Sequence, residues 1–188
     1  NRSFSLADDL ARQHHCEKIK TIGDCVMAAA GVPEALAKHA ETIARNALYL
    51  KDAMQEETFG CRPLRLRIEI HSGPAVARVI GRNRFAYDLW GDTVNIAARI
   101  EQAAKPNEIC LSDATREALG AAFVCTASSA VTGERAESGA SETEVFAVQS
   151  PATYAERRRS EALSVAEPRR FHWLSDDAPA DCITSIFE

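Results

Sequence analysis

An α/β (α+β) fold, a mixed sheet with helices packed on it, is predicted by three features of this 188-residue chain. Residues 64–70 alternate strictly between apolar and charged side chains, as a half-buried strand does. Apolar residues recur at helical spacing between the strand-like runs, and the connections include both hairpin turns and longer crossovers.

Phe4, Ala7, Leu10 and Ala11 give the first helical pattern, to about His15. Because that spacing is present so close to Asn1, the chain is expected to begin inside an element. In "EKIKTIGDCVMAAAGVP" two short apolar-rich segments flank Gly23-Asp24, a turn-forming pair, which predicts a hairpin. Pro33 is read as the start of a long helix through Leu36, Ile43, Ala47, Leu50 and Met54, ending near Gly60. Strand 64–70 follows, with Leu64, Leu66, Ile68 and Ile70 set against Arg65, Arg67 and Glu69.

His71-Ser72-Gly73 is read as a turn into a second strand, "PAVARVIG", and "GRNR" as a turn toward Phe85. "FAYDLWGDTVNIAARIEQ" then reads as a short strand and a helix capped by Asp92. A strand at 109–111, a short helix from Ser112 and a last strand at 145–148 complete the pattern. Residues 126–142 are rich in Ser, Ala, Gly and Glu and are expected to form a loose arm. The expected division is a domain over 1–148 and a tail over 149–188, with a short helical pattern at 154–165, then disorder, all outside the core.

The chain is 46% hydrophobic and 26% charged, which fits one ordinary domain with a sizeable core. A formal net charge of -5 argues against nucleic-acid binding, and no apolar run approaches the ~20 residues of a membrane span. The six cysteines have no two-residue spacing, so they indicate neither a zinc site nor a secreted disulfide framework. Reduced thiols and a cytoplasmic location are expected, with any membrane tether outside these residues.

One stripe stands out. Asn95 and Arg99 lie four apart on the helix after Asp92, with Asp88 just upstream between Tyr87 and Leu89. Alone, such a stripe is the wet side of an amphipathic helix, Lys20 is a solvated strand lysine and Asp24 is a turn residue. Together, "EKIKTIGD", "IHSGPAVARVIG" and "FAYDLWGDTVNIAARIEQ" resemble the consecutive signatures of class III nucleotide cyclase catalytic domains, over residues 1–148.

That resemblance implies a ferredoxin-like α/β sandwich that works as a head-to-tail dimer, with active sites at the interface. It implies that Asp24 is one of two aspartates holding two Mg2+ or Mn2+ ions, and that Lys20 and Asp88 recognise the base. Asn95 would position the ribose and Arg99 would stabilise charge at the α-phosphate. Lys and Asp, rather than the Glu and Cys of guanylate cyclases, suit the acceptor N1 and donor 6-amino group of adenine, so ATP is the implied substrate.

Several residues depart from the family pattern. The segment carrying the other metal aspartate is absent, so the fold is expected to lack its first strand and first helix, and the chain alone to be inactive and poorly stable. The arm whose lysine contacts the terminal phosphates reads "ERAESGAS", and no lysine follows Lys105. Glu69 and Arg78 replace usual glycines and are considered as a pair across the hairpin. The reading is an adenylate cyclase domain that forms a homodimer, or a heterodimer with another cyclase domain. A degenerate domain that regulates a competent partner, and a guanylate cyclase, are the alternatives.

Overall fold

The computed structural model describes residues 2–56, 58–59, 62–81, 85–133, 141–149, 154 and 179–187. The opening helix α1 (Arg2–Gln13) leads into the hairpin of β1 (Glu17–Ile22) and β2 (Cys25–Ala29), turned at Gly23-Asp24 as expected. Gly23 has φ +63°, a left-handed conformation that glycine enters without strain.

Helix α2 (His39–Glu56) starts later than Pro33. Residues 33–38 form bends and turns instead, and Leu36 stays 37% exposed, so this stretch buries no apolar face that would favour a helix. Ile43, Ala44, Ala47, Leu48 and Leu50 carry the burial of α2. A short pair, β3 (Thr58–Phe59) and β4 (Arg62–Pro63), follows.

The expected turn at His71-Ser72-Gly73 is absent. One strand, β5 (Arg67–Ile80), runs straight through it. Its first part pairs in parallel with β7 (Ile109–Ser112), and its last part pairs antiparallel with β6 (Ala86–Trp90). His71 and Ser72 are therefore ladder residues, buried at 8% and 9% exposure rather than in a solvent-facing bend. Glu69 and Arg78, nine residues apart on this strand, are separated by ~30 Å at strand rise and cannot pair.

Helix α3 (Asp92–Ala103) follows β6, and α4 (Asp113–Leu119) follows β7. The N-cap of α3 is Gly91, at φ 134°, and not Asp92, which stands in the first turn where a carboxylate favours the positive end of the helix. Ser112 caps α4, accepting from the Thr115 N–H. A single 3-10 turn, Gly120–Ala122, follows α4. Within the stretch 126–142, expected as a loose arm, residues 126–133 belong to β8 (Val124–Gly133) and 141–142 to β9 (Ser141–Gln149), a long antiparallel pair, and β9 contains the expected strand 145–148. Most of "ERAESGAS", the turn "GRNR" and the helical pattern expected after Tyr154 lie outside the described residues.

The largest departure is at the C-terminal end. Strand β10 (Pro179–Phe187) inserts between β2 and β5, antiparallel to both, in a sheet of order β1-β2-β10-β5-β7-β9-β8 with β6 on β5. Residues 179–187 of the expected tail are thus part of the sheet centre rather than outside the core.

Ile68, Ile70 and Leu111 pack under α1, α2 and α4, while Cys110 and Val145 pack with Ile100 of α3 and with Ala104, just past its end, on the other face. Tyr154, donating to Asp52 Oδ2 at 2.9 Å and standing edge-on to Tyr49, fixes the chain beyond β9 to α2. None of the described helices is long and apolar enough to cross a membrane.

Candidate active site

Lys20 and Asp88, 68 residues apart, are brought together. The Lys20 ammonium is 2.8 Å from Oδ1 and 2.9 Å from Oδ2 of Asp88, and the Leu89 N–H donates to Oδ1 at 2.8 Å. The side chains keep 34% and 18% exposure, so the pair is reachable from solvent yet partly sheltered. Beneath it, Met27, Ala29, Ala75 and Leu89 form a small apolar cluster flanked by Ile19 and Tyr87, which fixes the β1–β2 hairpin against the β5–β6 ribbon.

Asp24 sits exposed at the tip of that hairpin. Asn95 and Arg99 share the exposed face of α3, whose opposite face buries Thr93, Ala97 and Ile100. The stripe is open rather than packed into its own domain, and it belongs to the helix that leaves β6 shortly after Asp88.

The anchoring of α3 involves residues that sequence reasoning passed over. The Thr93 hydroxyl, 3% exposed, donates to the Pro74 carbonyl. A Cβ placed on Gly73 would meet Thr93 Oγ1 at 2.8 Å, so only glycine lets the helix approach β5 this closely. The signal lay in "HSGP" and "GDT", each short and polar, and neither has a periodicity that reveals a long-range contact.

Next to Gly73, His71 belongs to a buried chain of hydrogen bonds. Its Nδ1 is 2.7 Å from Ser112 Oγ, Ser112 Oγ is 3.2 Å from Thr115 Oγ1, and Thr115 donates to the Ile70 carbonyl. Since the Thr115 hydroxyl is spent on Ile70, Ser112 must donate to Thr115, which leaves His71 Nδ1 as the donor to Ser112. Burial holds the imidazole neutral, with its pKa pushed down to about 4.

Two of the thiols are Cys25, part-buried, and Cys110, buried. Burial first, then the neighbouring carboxylates Asp24, Glu101 and Glu69, push Cys25 up to about 11, and burial, Glu108 and Glu69 push Cys110 up to about 12. Neither supplies a thiolate at neutral pH. No group of three His, Cys, Asp or Glu side chains poised for a metal occurs among the described residues. Of the five predicted site residues, Asp24 offers a hard oxygen donor in an open position, of the kind that Mg2+ or Mn2+ takes.

The profile described as the adenylate and guanylate cyclase catalytic domain matches residues 1–150. An adenylate cyclase of Mycobacterium tuberculosis is 39% identical over 125 residues, a stretch that is 66% of this chain and 28% of that protein. The guanylate cyclase soluble subunit beta-2 of Homo sapiens is also 39% identical, over 63% of this chain and 20% of that protein. The chain therefore spans well under two thirds of these relatives. Among solved structures, the guanylate cyclase domain of RhGC from Catenaria anguillulae, in complex with GTP, superposes with a TM-score of 0.69 at 29% identity, covering 79% of this chain and 80% of that one. The adenylyl cyclase CyaB from P. aeruginosa shares the fold, with a TM-score of 0.68 at 21% identity over 80% of each chain.

Proposed function

The chain belongs to the family of adenylate and guanylate cyclase catalytic domains, and from that premise we propose that it is an adenylate cyclase domain, converting ATP to cyclic AMP and pyrophosphate within a dimer of such domains. The observation that carries the choice of ATP is the Lys20–Asp88 contact. An ammonium and a carboxylate held side by side offer a donor and an acceptor, which is complementary to adenine N1 and its 6-amino group and mismatched to guanine at both atoms.

In the proposed mechanism the ribose 3′-hydroxyl attacks the α-phosphorus in line and pyrophosphate leaves, so the protein's work is positioning and charge neutralisation. Asn95 orients the ribose by its amide. Arg99, permanently cationic and forked, takes the non-bridging oxygens of the α-phosphate as negative charge grows there. Both project from the open face of α3, suited to a cleft shared with a second subunit. Asp24 would hold one edge of the divalent-cation site, and such cations, when bound, supply nucleophile activation and leaving-group neutralisation.

The test is cyclic AMP production from ATP with manganese by the full chain. It is run alone and mixed with a cyclase domain that keeps both metal aspartates but carries Ala at its own Asn and Arg positions. Product only in the mixture is expected, because Asn95 and Arg99 would then complete the partner's site. No product in either, from folded protein, would instead favour a regulatory domain without catalysis. Product from GTP in preference to ATP would overturn the base assignment.

A further inference from the structure

The Asp88 carboxylate has a second cation beside it. Arg78 is the Cα partner of Asp88 in the β5–β6 ladder, and paired residues of an antiparallel ladder project from one face with Cβ atoms ~4.5–5.5 Å apart. Arg78 is exposed, and among the described residues no hydrogen bond or ion pair engages its guanidinium. Its neighbours two residues away on the same face, Val76 and Ile80, are exposed apolar side chains, so its own strand sets no carboxylate beside it.

The reason this guanidinium stays idle lies in Asp88. A carboxylate has about four lone-pair directions. The Lys20 ammonium takes two of them, one on each oxygen, and the Leu89 N–H takes a third. One direction is left on Asp88 and one N–H on Lys20, while every donor of Arg78 is unspent. The three side chains come from three neighbouring strands, since β1 lies against β6 and β6 is paired to β5. Lys20, Asp88 and Arg78 therefore present donor, acceptor and donor in a row. Adenine carries the complementary sequence along one edge: acceptor N1, donor 6-amino group, acceptor N7.

We propose that Arg78 is a third base-reading residue, donating to N7 of the purine whose N1 and 6-amino group meet Lys20 and Asp88. This deepens the function proposed above and rests on it. Guanine matches the row at N7 alone, because its N1 is a donor and its O6 an acceptor. Arg78 thus strengthens the hold on a purine, while the Lys20–Asp88 pair carries the choice between purines. Glycine, usual at this place in the family pattern, has no side-chain donor to offer, so the contact is particular to this chain.

A substrate without that acceptor tests the contact. In 7-deaza-ATP a C–H replaces N7, and N1 and the 6-amino group remain. In the mixed assay with manganese, the unmodified full chain is expected to use ATP with a kcat/KM ~10-fold or more above that for 7-deaza-ATP, the scale of one hydrogen bond from a charged donor. Arg78→Met keeps an apolar stem and removes the donors. It should lower kcat/KM for ATP by about the same factor and leave 7-deaza-ATP within ~2-fold, so that the preference disappears. Because Arg78 is exposed, the substitution should change the melting temperature no more than other surface changes do. A preference that survives in Arg78→Met, or no preference in the unmodified chain, overturns the N7 contact and leaves the Lys20–Asp88 reading standing. No turnover of ATP by the unmodified, folded chain in the mixture overturns the nucleotide reading, and this contact with it.

Discussion

The Lys20 ammonium and the Asp88 carboxylate are joined by contacts of 2.8 and 2.9 Å, across 68 residues of sequence and from β1 to β6. The contact sets a donor and an acceptor side by side, as the proposed base recognition requires. Asp88 is also restrained by the Leu89 N–H, so its orientation is fixed in the free protein. Preorganisation of this kind lowers the ordering cost of binding.

Replacing both members together, Lys20→Glu with Asp88→Cys, is therefore expected to lower the preference for ATP over GTP by ~100-fold or more in kcat/KM, measured by nucleotide competition in the mixed assay. Each single change should cost activity with either nucleotide, because it leaves one partner of the pair without its counterpart. Unaltered selectivity in the double variant would remove Lys20 and Asp88 from base recognition.

Arg99→Ala is expected to lower kcat by ~100-fold or more with little change in KM, since in the proposed mechanism its guanidinium acts on α-phosphate charge that is largest in the transition state. Asn95→Ala should act on kcat in the same sense by loosening the ribose. Both residues are exposed on α3, so neither change should alter the melting temperature by more than a surface substitution does. A KM effect alone would instead describe a ground-state phosphate contact.

The motifs were more legible in sequence than the sheet that carries them. Lys20, Asp24, Asp88, Asn95 and Arg99 were drawn from motifs whose order and spacing survive in one dimension, the structure brings Lys20 to Asp88, and the β1–β2 hairpin was marked by Gly23-Asp24. The turn expected at His71-Ser72-Gly73 failed because polar, small residues also serve inside a strand when their side chains find buried partners, as His71 does with Ser112. Residues 126–142 lack strict alternation, and it is pairing with β9 that makes β8 a strand. Nothing local in 179–187 announces a central strand, because its place is set by pairing with β2 and β5, far away in sequence.

Acid should destabilise the fold through His71. Its folded pKa, about 4, lies below the ordinary 6.5, so between these values the unfolded chain binds the extra proton and the folded chain does not. The contribution of neutral His71 is therefore complete above about pH 6.5 and is lost as pH falls toward 4, up to roughly 3 kcal/mol in all. Stability measured by urea titration should fall across that window in the native chain. His71→Asn, which can still donate to Ser112 but does not titrate, should remove that component, leaving the slope from carboxylates alone. An equal slope in both proteins would contradict the buried neutral imidazole.

The contact between Gly73 and Thr93 gives the last prediction. Gly73→Ala would place a methyl 2.8 Å from Thr93 Oγ1 and 3.4 Å from its Cγ2. Because Thr93 is 3% exposed and its hydroxyl is committed to Pro74, neither side can yield cheaply, and a loss of ~1–3 kcal/mol is expected. Thr93→Ala alone should also destabilise, by the lost hydrogen bond and the small cavity. In the double variant the two losses should fall short of additive by ~1 kcal/mol or more, since removing the hydroxyl makes room for the methyl. Additive losses would mean that α3 is not seated against β5 at this point. In the mixed assay Gly73→Ala should reduce kcat even where the protein is fully folded, because displacing α3 carries Asn95 and Arg99 with it.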